Sequence, residues 1–363
     1  MKPRVLRYVD WALVASTLAL ILGGAVILFS ATRTFPDPWA FVKARAVHVV
    51  LGGVILVLVA AVDYQVLARW WRPLWLGTVI LLAAVDIVGR TAQGAQRWLP
   101  LGPLSFQPSE VAKVLLIITL AKHLDGHGEP TSLRQVFPVL LHAAVPIVLI
   151  VQQPDMGTAL VLLAILLAML FAAGTPVRLL GGLAAAGALA APVLWRMLHD
   201  YQRRRLIVFL DPGSDPLGAG YALIQSKIAV GSGQLLGKGF LQGTQNLLRF
   251  IPEQHTDFIF TVIGEELGFL GALTLLALFG FWVWRAAAVA RVAKDRLGML
   301  MAVGVLAMIA FHLFINVGMT VGLAPITGIP LPFVSHGGSA LIAMLAATGL
   351  LLNVGMRRKK ILF

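Results

Sequence analysis

The chain has 363 residues, of which 59% are hydrophobic and 12% charged, and its mean hydropathy is +0.87. This composition excludes a soluble globular domain, which has a more polar residue composition. The net charge of +13 would suit a nucleic-acid-binding protein, but the basic residues are concentrated in short connectors between apolar runs. We therefore predict a polytopic membrane protein with no nucleic-acid partner.

The apolar runs are long enough to cross the hydrocarbon core as helices, which takes ~20 residues each. The sequence predicts ten of them, near residues 11–31, 45–63, 72–89, 108–124, 135–151, 157–173, 177–197, 258–286, 298–322 and 336–356. The first run lacks a small-residue cleavage site, so we predict that it is retained. The predicted fold is an all-α membrane protein with one domain, residues 1–363, and a large loop, 197–257, between helices seven and eight.

Lys and Arg residues are unevenly distributed between alternate short loops. Lys2, Arg4 and Arg7 precede the first run, and the basic residues 357–360 follow the last one. Because cytoplasmic loops are enriched in Lys and Arg, we predict that both termini are cytoplasmic. The large loop and the segments richest in Gly, Pro and polar residues then lie on the extracytoplasmic side. We expect any reaction centre to open there.

The segment 249–257 places three titratable side chains directly before an apolar run. Asp257 is suited to cap the following helix. It is equally suited to act as a general base, provided that burial raises its proton affinity. Glu253 and His255 are alternatives for the same role, since histidine titrates near neutral pH. Sequence position alone does not choose among the three.

Ionisable residues also occur inside or beside the apolar runs. Glu110 and Lys113 are three residues apart, so they share one helix face and can form an ion pair. A structural pair would explain them, yet charges within a span are costly enough that function is the default hypothesis. Asp155 precedes an uncharged helix and suits either capping or substrate binding.

Two further acidic residues, Glu265 and Glu266, lie within the eighth predicted run. They are ~12 Å from Asp257 along a straight helix, so a shared site would require a bend. We expect each to pair with a polar side chain of a neighbouring helix, for example His312 or Asn316, which are four residues apart on one face.

The large loop contains several basic residues. Arg203, Arg204 and Arg205 suit either phosphate binding or anchoring to lipid head groups. Residues 218–238 mix apolar and polar side chains, which is typical of an interfacial helix. The chain has no cysteine, no zinc-type ligand cluster and no phosphate-binding glycine loop of the Walker type. Disulfide linkage, zinc chemistry and ATP-driven pumping are therefore not expected.

Seven motifs occur in an order that resembles the SEDS family (shape, elongation, division and sporulation), and most resembles its elongation members. They are GAQRW at 94–98, QPSE at 107–110, QPD at 153–155, FLDPGSDPLGAGY at 209–221, QSKIAVGSGQLLGKG at 225–239, PEQHTDFIF at 252–260 and GIPLPFVSHGGSA at 328–340. The resemblance spans nearly the whole chain. His336 stands where the family usually carries tyrosine.

The resemblance implies a peptidoglycan glycosyltransferase that polymerises lipid II on the outer face of the bacterial cytoplasmic membrane, in cell elongation and rod-shape maintenance. It implies a class B penicillin-binding protein as partner, together with other membrane proteins of the elongation machinery. It also assigns the family's essential aspartate to Asp257, and places Glu110, Lys113 and Asp155 in an outward-opening cavity.

On this interpretation, Asp257 accepts the proton of an acceptor sugar hydroxyl, while the donor's leaving group is a polyprenyl pyrophosphate. Cationic side chains would stabilise that leaving group, and the candidates are Lys113, Arg97, Arg203, Arg204 and Lys227. A divalent cation could share this role, although no dedicated ligand set is apparent and no other cofactor is expected. A lipid II flippase is the main alternative, since broken helices around a polar cavity are also typical of transporters. A scaffolding membrane protein is a third.

Overall fold

The computed structural model describes residues 8–92, 95–101, 104–126, 128–198, 200–218 and 220–358. Gly94 and the terminal basic residues Lys2, Arg4, Arg7, Lys359 and Lys360, which entered the sequence predictions, lie outside these ranges. The described chain is predominantly helical. Its helices are α1 (Trp11–Thr32), α2 (Pro38–Ala61), α3 (Tyr64–Arg69), α4 (Trp71–Val88), α5 (Pro108–Gly126), α6 (Leu133–Gln152), α7 (Met156–Ala172), α8 (Val177–Met197), α9 (Asp200–Leu210), α10 (Tyr221–Ser232), α11 (Thr244–Leu247), α12 (Ile259–Glu266), α13 (Gly268–Arg291), α14 (Arg296–Val321) and α15 (Gly338–Met356).

Seven of the described helices are long and apolar enough to cross a membrane, namely α1, α2, α4, α6, α13, α14 and α15. Helix α7 and residues 177–193 of α8 form shorter apolar helices, and α5 carries charged side chains near both ends. Each predicted run is helical over most of its length. The chain is therefore a multi-pass membrane protein, with α14 and α15 at the centre of its core.

The prediction of an all-α fold is wrong between α4 and α5. Strands β1 (Arg90–Ala92), β2 (Ala95–Leu101) and β3 (Leu104–Phe106) form an antiparallel sheet in the order β1-β2-β3. This connector is too rich in Gly and Pro for a helix, so its backbone groups pair between strands instead. Strand β2 carries Arg97 and Trp98.

The large loop is not irregular, because it contains α9, α10 and α11. Helix α10 covers part of the segment predicted as an interfacial helix. It packs against α12 and α14, and the Ser226 hydroxyl on its buried face donates a hydrogen bond to the carbonyl of Thr320 at 2.6 Å. The loop is thereby attached to the membrane-spanning core.

The prediction of a single helix over residues 258–286 is also wrong, because this run forms two helices, α12 and α13. The break is at Gly268, whose φ is +64°. The preceding loop pairs with both broken ends. The amide of Lys238 donates to the carbonyl of Glu265 at 2.9 Å, and the amide of Phe269 donates to the carbonyl of Gln234 at 2.8 Å. These bonds satisfy backbone groups that would otherwise be orphaned within the membrane.

Replacing Gly268 with alanine is expected to destabilise the protein by more than about 2 kcal/mol. A left-handed conformation alone costs a residue with a Cβ about 1–2 kcal/mol. The added Cβ would also lie 2.3 Å from the amide nitrogen of Gly237. Thermal unfolding in detergent micelles measures the effect. The matched control is Gly280→Ala, also in α13, where a Cβ would meet no atom within 4 Å; equal melting temperatures for the two variants would contradict the prediction.

Candidate functional site

A cavity of about 570 Å³ opens where the first turns of α5 and α7 meet the segment before α12 and residues 327–337. Its wall contains five of the predicted site residues, Arg97, Glu110, Lys113, Asp155 and Asp257. Four polar segments that are far apart in the sequence contribute residues to it, namely 97–98 with 107–110, 153–155, the large loop 197–257 and 327–337. No single segment could form such a cavity, so the tertiary fold creates the site.

Lys113 lies at the buried end of the cavity. Its ammonium is 2.7 Å from the Glu110 carboxylate and 3.0 Å from Nε2 of His312. The Nδ1 of His312 is 3.0 Å from the carbonyl of Met308, so Nδ1 carries the proton and Nε2 accepts from Lys113. All three side chains are buried. This arrangement holds a positive charge at a fixed point of the cavity wall.

Asp155 caps α7, as the sequence suggested. Its carboxylate accepts hydrogen bonds from the amide of Thr158 at 3.2 Å and from the hydroxyl of that residue at 2.9 Å. Gln107 donates at 3.2 Å, and a guanidinium nitrogen of Arg97 is 3.8 Å away. Arg97 also donates to the carbonyls of Gln153 and Pro154. Asp155 therefore holds Arg97 and the start of α7 together at the cavity.

Asp257 does not cap a helix, because Phe258 occupies the N-cap of α12. Its carboxylate stands at the cavity wall and is only partly exposed. Burial raises the pKa of Asp257 to about 6, although the positive charges of Arg205 and Arg97 act in the opposite direction. A carboxylate of this kind is a stronger proton acceptor than a solvated one.

Asn316 of α14 holds the backbone around Asp257 in place. Its side-chain amide donates to the carbonyls of Asp257 and Ile329, both at 2.8 Å. It is fully buried, so it ties two cavity segments to one helix. His312 and Asn316 were expected as partners of Glu265 and Glu266, but they contact Lys113 and two backbone carbonyls instead.

Glu253 and His255, the other two candidates for the general base, lie in different surroundings from Asp257. Glu253 lines the cavity and is exposed. His255 packs instead against Phe41, with ring centroids 5.3 Å apart, and against His336 at 5.8 Å. Burial lowers the pKa of His255 and lowers that of His336 to about 4. Both rings are therefore neutral at physiological pH.

Three predicted substrate-binding residues, Arg203, Arg204 and Lys227, do not line the cavity. Arg203 donates to the carbonyls of Trp195 and Arg196 at 3.0 and 2.8 Å. Arg204 is exposed on α9, and Lys227 lies close to Gly322. Arg205 takes their place in the cavity wall, because α9 directs every third or fourth side chain toward it.

Tyr201 is a cavity residue that the sequence did not suggest, and Arg205 is one that the sequence did not distinguish from Arg203 and Arg204. Tyr201 and Arg205 are four residues apart on one face of α9, and the Arg205 guanidinium lies 5.6 Å from the centroid of the Tyr201 ring. The segment was predicted as loop, so helical spacing was not applied to it. That spacing is the signal that would have selected Arg205 over its two neighbours.

The examples named as partners for Glu265 and Glu266, His312 and Asn316, are wrong, although Glu266 does pair with a polar side chain of a neighbouring helix, α1. Glu265 is 2.7 Å from the Lys238 ammonium, and Glu266 accepts from the Ser30 hydroxyl at 2.6 Å. The loop that folds back onto the helix break supplies Lys238 and brings these groups within reach. Among the described residues, no group of three or more His, Cys, Asp and Glu is arranged to hold a metal ion.

Known proteins match this chain over almost its full length. Residues 7–360 match the family model of cell cycle proteins that covers FtsW, RodA and SpoVE. The peptidoglycan glycosyltransferase MrdB of Escherichia coli K12 is 41% identical over 97% of this chain and 95% of its own.

Two solved structures have the same fold. A chain of a peptidoglycan synthase complex, in a study of how polymerisation and crosslinking are coordinated, has a TM-score of 0.83 and 35% identity and covers 96% of this chain and 98% of its own. The rod shape determining protein RodA of Thermus thermophilus has a TM-score of 0.73 and 33% identity, with coverages of 97% and 98%. From the matched motifs, the full-length family match and the shared fold, we conclude that this chain belongs to the SEDS family and is most similar to its RodA members.

Proposed function

We propose that this chain is a peptidoglycan glycosyltransferase that polymerises lipid II into glycan strands during cell elongation and rod-shape maintenance. The observation that carries the proposal is a partly buried carboxylate, Asp257, facing a large cavity that also presents the cations of Arg97, Lys113 and Arg205. A proton acceptor beside several positive charges suits the transfer of a sugar from a pyrophosphate leaving group. The name of the MrdB relative supports the same activity.

The proposed topology has ten membrane-spanning segments in the bacterial cytoplasmic membrane, both termini in the cytoplasm, and the large loop 197–257 outside. The distribution of Lys and Arg supports this orientation. The cavity then opens on the extracytoplasmic side, near the level of the membrane surface. A lipid-linked sugar could enter it while its lipid stays in the bilayer.

In the proposed reaction, the 4-hydroxyl oxygen of an acceptor N-acetylglucosamine attacks the anomeric carbon of the donor. The bond from that carbon to the pyrophosphate oxygen breaks, and the leaving group keeps the electron pair. Asp257 takes the hydroxyl proton. A single displacement inverts the anomeric centre. Arg97, Lys113 and Arg205 stabilise the developing negative charge, and a divalent cation could share that role.

The proposed partner is a class B penicillin-binding protein, which crosslinks the strands that this chain makes, together with other membrane proteins of the elongation machinery. The solved relative from a peptidoglycan synthase complex supports a partner of this kind. We expect polymerisation to be faster with the partner present than with this chain alone.

A direct assay distinguishes the polymerase hypothesis from the flippase hypothesis. Purified protein in detergent, with its partner and lipid II, is expected to yield glycan polymers on a gel, because no sealed membrane is needed for polymerisation. The flippase alternative instead expects movement of lipid II across sealed vesicles and no polymer in detergent. Absence of polymer from a folded, partner-bound protein would overturn the proposal.

The rate of polymerisation is expected to fall on the acidic side of a pH near 6. Asp257 must be ionised to accept a proton, and its pKa of about 6 places the acid limb there rather than near 4. Below that pH, the ionised fraction falls about tenfold per unit. The rate measured from pH 4.5 to pH 8 tests this. His336→Gln should keep the same limb, because His336 is already neutral over most of this range.

A further inference from the structure

A second, smaller cavity of about 70 Å³ lies beside the first and is mainly apolar. Its wall includes Met156 and Leu160 of α7, Leu206 of α9, and Pro325 and Ile326 of the segment after α14. The two cavities share four residues in their walls, namely Thr327 and three with large side chains, Arg97, Tyr201 and Arg205. These three side chains, called the partition below, therefore separate a polar space from an apolar one.

Hydrogen bonds to two backbone carbonyls fix the partition. The Tyr201 hydroxyl donates to the carbonyl of Pro154 at 2.6 Å, and Arg97 donates to that carbonyl as well. Arg205 donates to the carbonyl of Ile326 at 3.3 Å and stacks on the Tyr201 ring. Both guanidinium groups have further N–H donors besides those in these bonds. The partition can thus bind an anion without losing its anchors.

The apolar cavity adjoins a face of α7 that the described chain covers only in part. Leu160, Leu163 and Leu167 follow Met156 at helical spacing, and these three leucines are 36%, 41% and 38% exposed. In a membrane-spanning helix such side chains contact lipid. The stripe therefore leads from the apolar cavity into the bilayer.

We propose that the partition binds the head of a polyprenyl diphosphate, with its diphosphate between Arg97 and Arg205, its first isoprenyl units in the apolar cavity, and the rest of its chain along the α7 stripe. This inference rests on the proposed function for the identity of the ligand as the donor lipid. Guanidinium pairs bind phosphate groups through paired N–H donors. An isoprenyl chain gains free energy by leaving water for an apolar pocket. The polar cavity then receives the sugar.

Binding to the protein in phosphatidylcholine nanodiscs tests the proposal, with empty nanodiscs as the blank. The probes are geranylgeranyl diphosphate and inorganic pyrophosphate, and isothermal titration calorimetry measures the affinity of each. Arg205→Gln is expected to weaken the binding of both probes by about tenfold or more. Leu160→Trp fills the apolar cavity, so it should weaken geranylgeranyl diphosphate about tenfold and leave pyrophosphate unchanged. Leu273→Trp, which replaces an exposed apolar residue of α13, is the matched control and should change neither.

Equal affinities of the wild type for the two probes would overturn the proposal, since the apolar cavity would then contribute nothing. An unchanged affinity of Leu160→Trp for geranylgeranyl diphosphate would overturn it as well. Wild-type-like thermal unfolding of each variant confirms that a loss of binding is local. The outcome is independent of catalysis. A protein that polymerises lipid II without this binding pattern refutes the inference alone, whereas one that binds as expected but makes no polymer refutes the proposed function alone.

Discussion

Replacing Asp257 with asparagine is expected to lower the polymerisation rate by about 10²–10⁴-fold, the usual contribution of a general base. Asparagine keeps the size of the side chain but cannot accept the hydroxyl proton. The measurement is the initial rate of polymer formation from lipid II by the purified, partner-bound variant. Glu253→Gln removes the other carboxylate of the same turn. It is expected to cost far less, because the exposed Glu253 is not desolvated.

The matched control is Asp200→Asn, an acid-to-amide change on α9 whose side chain is 90% exposed. It should leave the rate at the wild-type value. A full rate in Asp257→Asn, or a loss in Glu253→Gln alone, would contradict the assignment and move the base to Glu253.

The substitution Asp257→Asn should lower activity but raise the free energy of unfolding. The pKa of Asp257 is about 6 in the folded protein, against an ordinary value of 3.8. The folded state therefore binds more protons than the unfolded state between these values, and stability falls as the pH rises through this window. Above pH 6, Asp257 is ionised in both states, so the full free-energy cost of burying its charge is present. Allowing for partial exposure, we expect Asp257→Asn to raise the free energy of unfolding by about 1–2 kcal/mol at pH 8 and to have little effect at pH 4.

Replacing Lys113 with alanine is expected to destabilise the protein by about 3–5 kcal/mol, because it leaves the Glu110 carboxylate buried without its partner. It should also abolish polymerisation, since it removes the fixed positive charge at the end of the cavity. Lys122→Ala is the matched control on the same helix. Lys122 has the same spacing to its acidic partner, Asp125, at 3.4 Å, but both side chains are partly exposed, and such pairs contribute at most about 1 kcal/mol.

A double variant decides whether the Lys113 pair is structural or functional. Glu110→Gln with Lys113→Met removes both charges at similar volume, and replacing a buried pair in this way is often neutral or stabilising. We expect its unfolding temperature to return close to the wild-type value while polymerisation stays absent. Recovery of both the unfolding temperature and polymerisation would show that the pair serves only the fold. Unfolding measurements and polymer gels on the same preparations distinguish these outcomes.

Much of the candidate site could be predicted as a set of residues but not as a geometry. Residue type and neighbourhood selected Asp257, Lys113 and Asp155, because charged groups next to apolar runs are costly and therefore need a reason. The same argument could not choose among Asp257, Glu253 and His255. Their difference arises from burial against Phe41, His336 and α14, which are distant in sequence.

The large loop shows where sequence reasoning failed. Arg203, Arg204 and Arg205 look equivalent in a loop, yet in α9 only Arg205 faces the cavity. Glu265 and Glu266 were assigned to neighbouring helices. Glu266 does pair with one, through Ser30 of α1, but Glu265 pairs with Lys238, because Gly268 breaks the helix and the loop folds back onto it.

The sequence by itself determined that this chain spans a membrane, where most of its long apolar helices lie, and which charged residues need an explanation. These properties follow from local composition, since an apolar run of sufficient length enters the bilayer whatever its neighbours are. Only the tertiary structure decided which arginine meets Asp155 and Asp257, how far Asp257 is desolvated, and that an apolar side cavity adjoins the polar one. Such features depend on close packing between segments far apart in the chain, which no local pattern encodes.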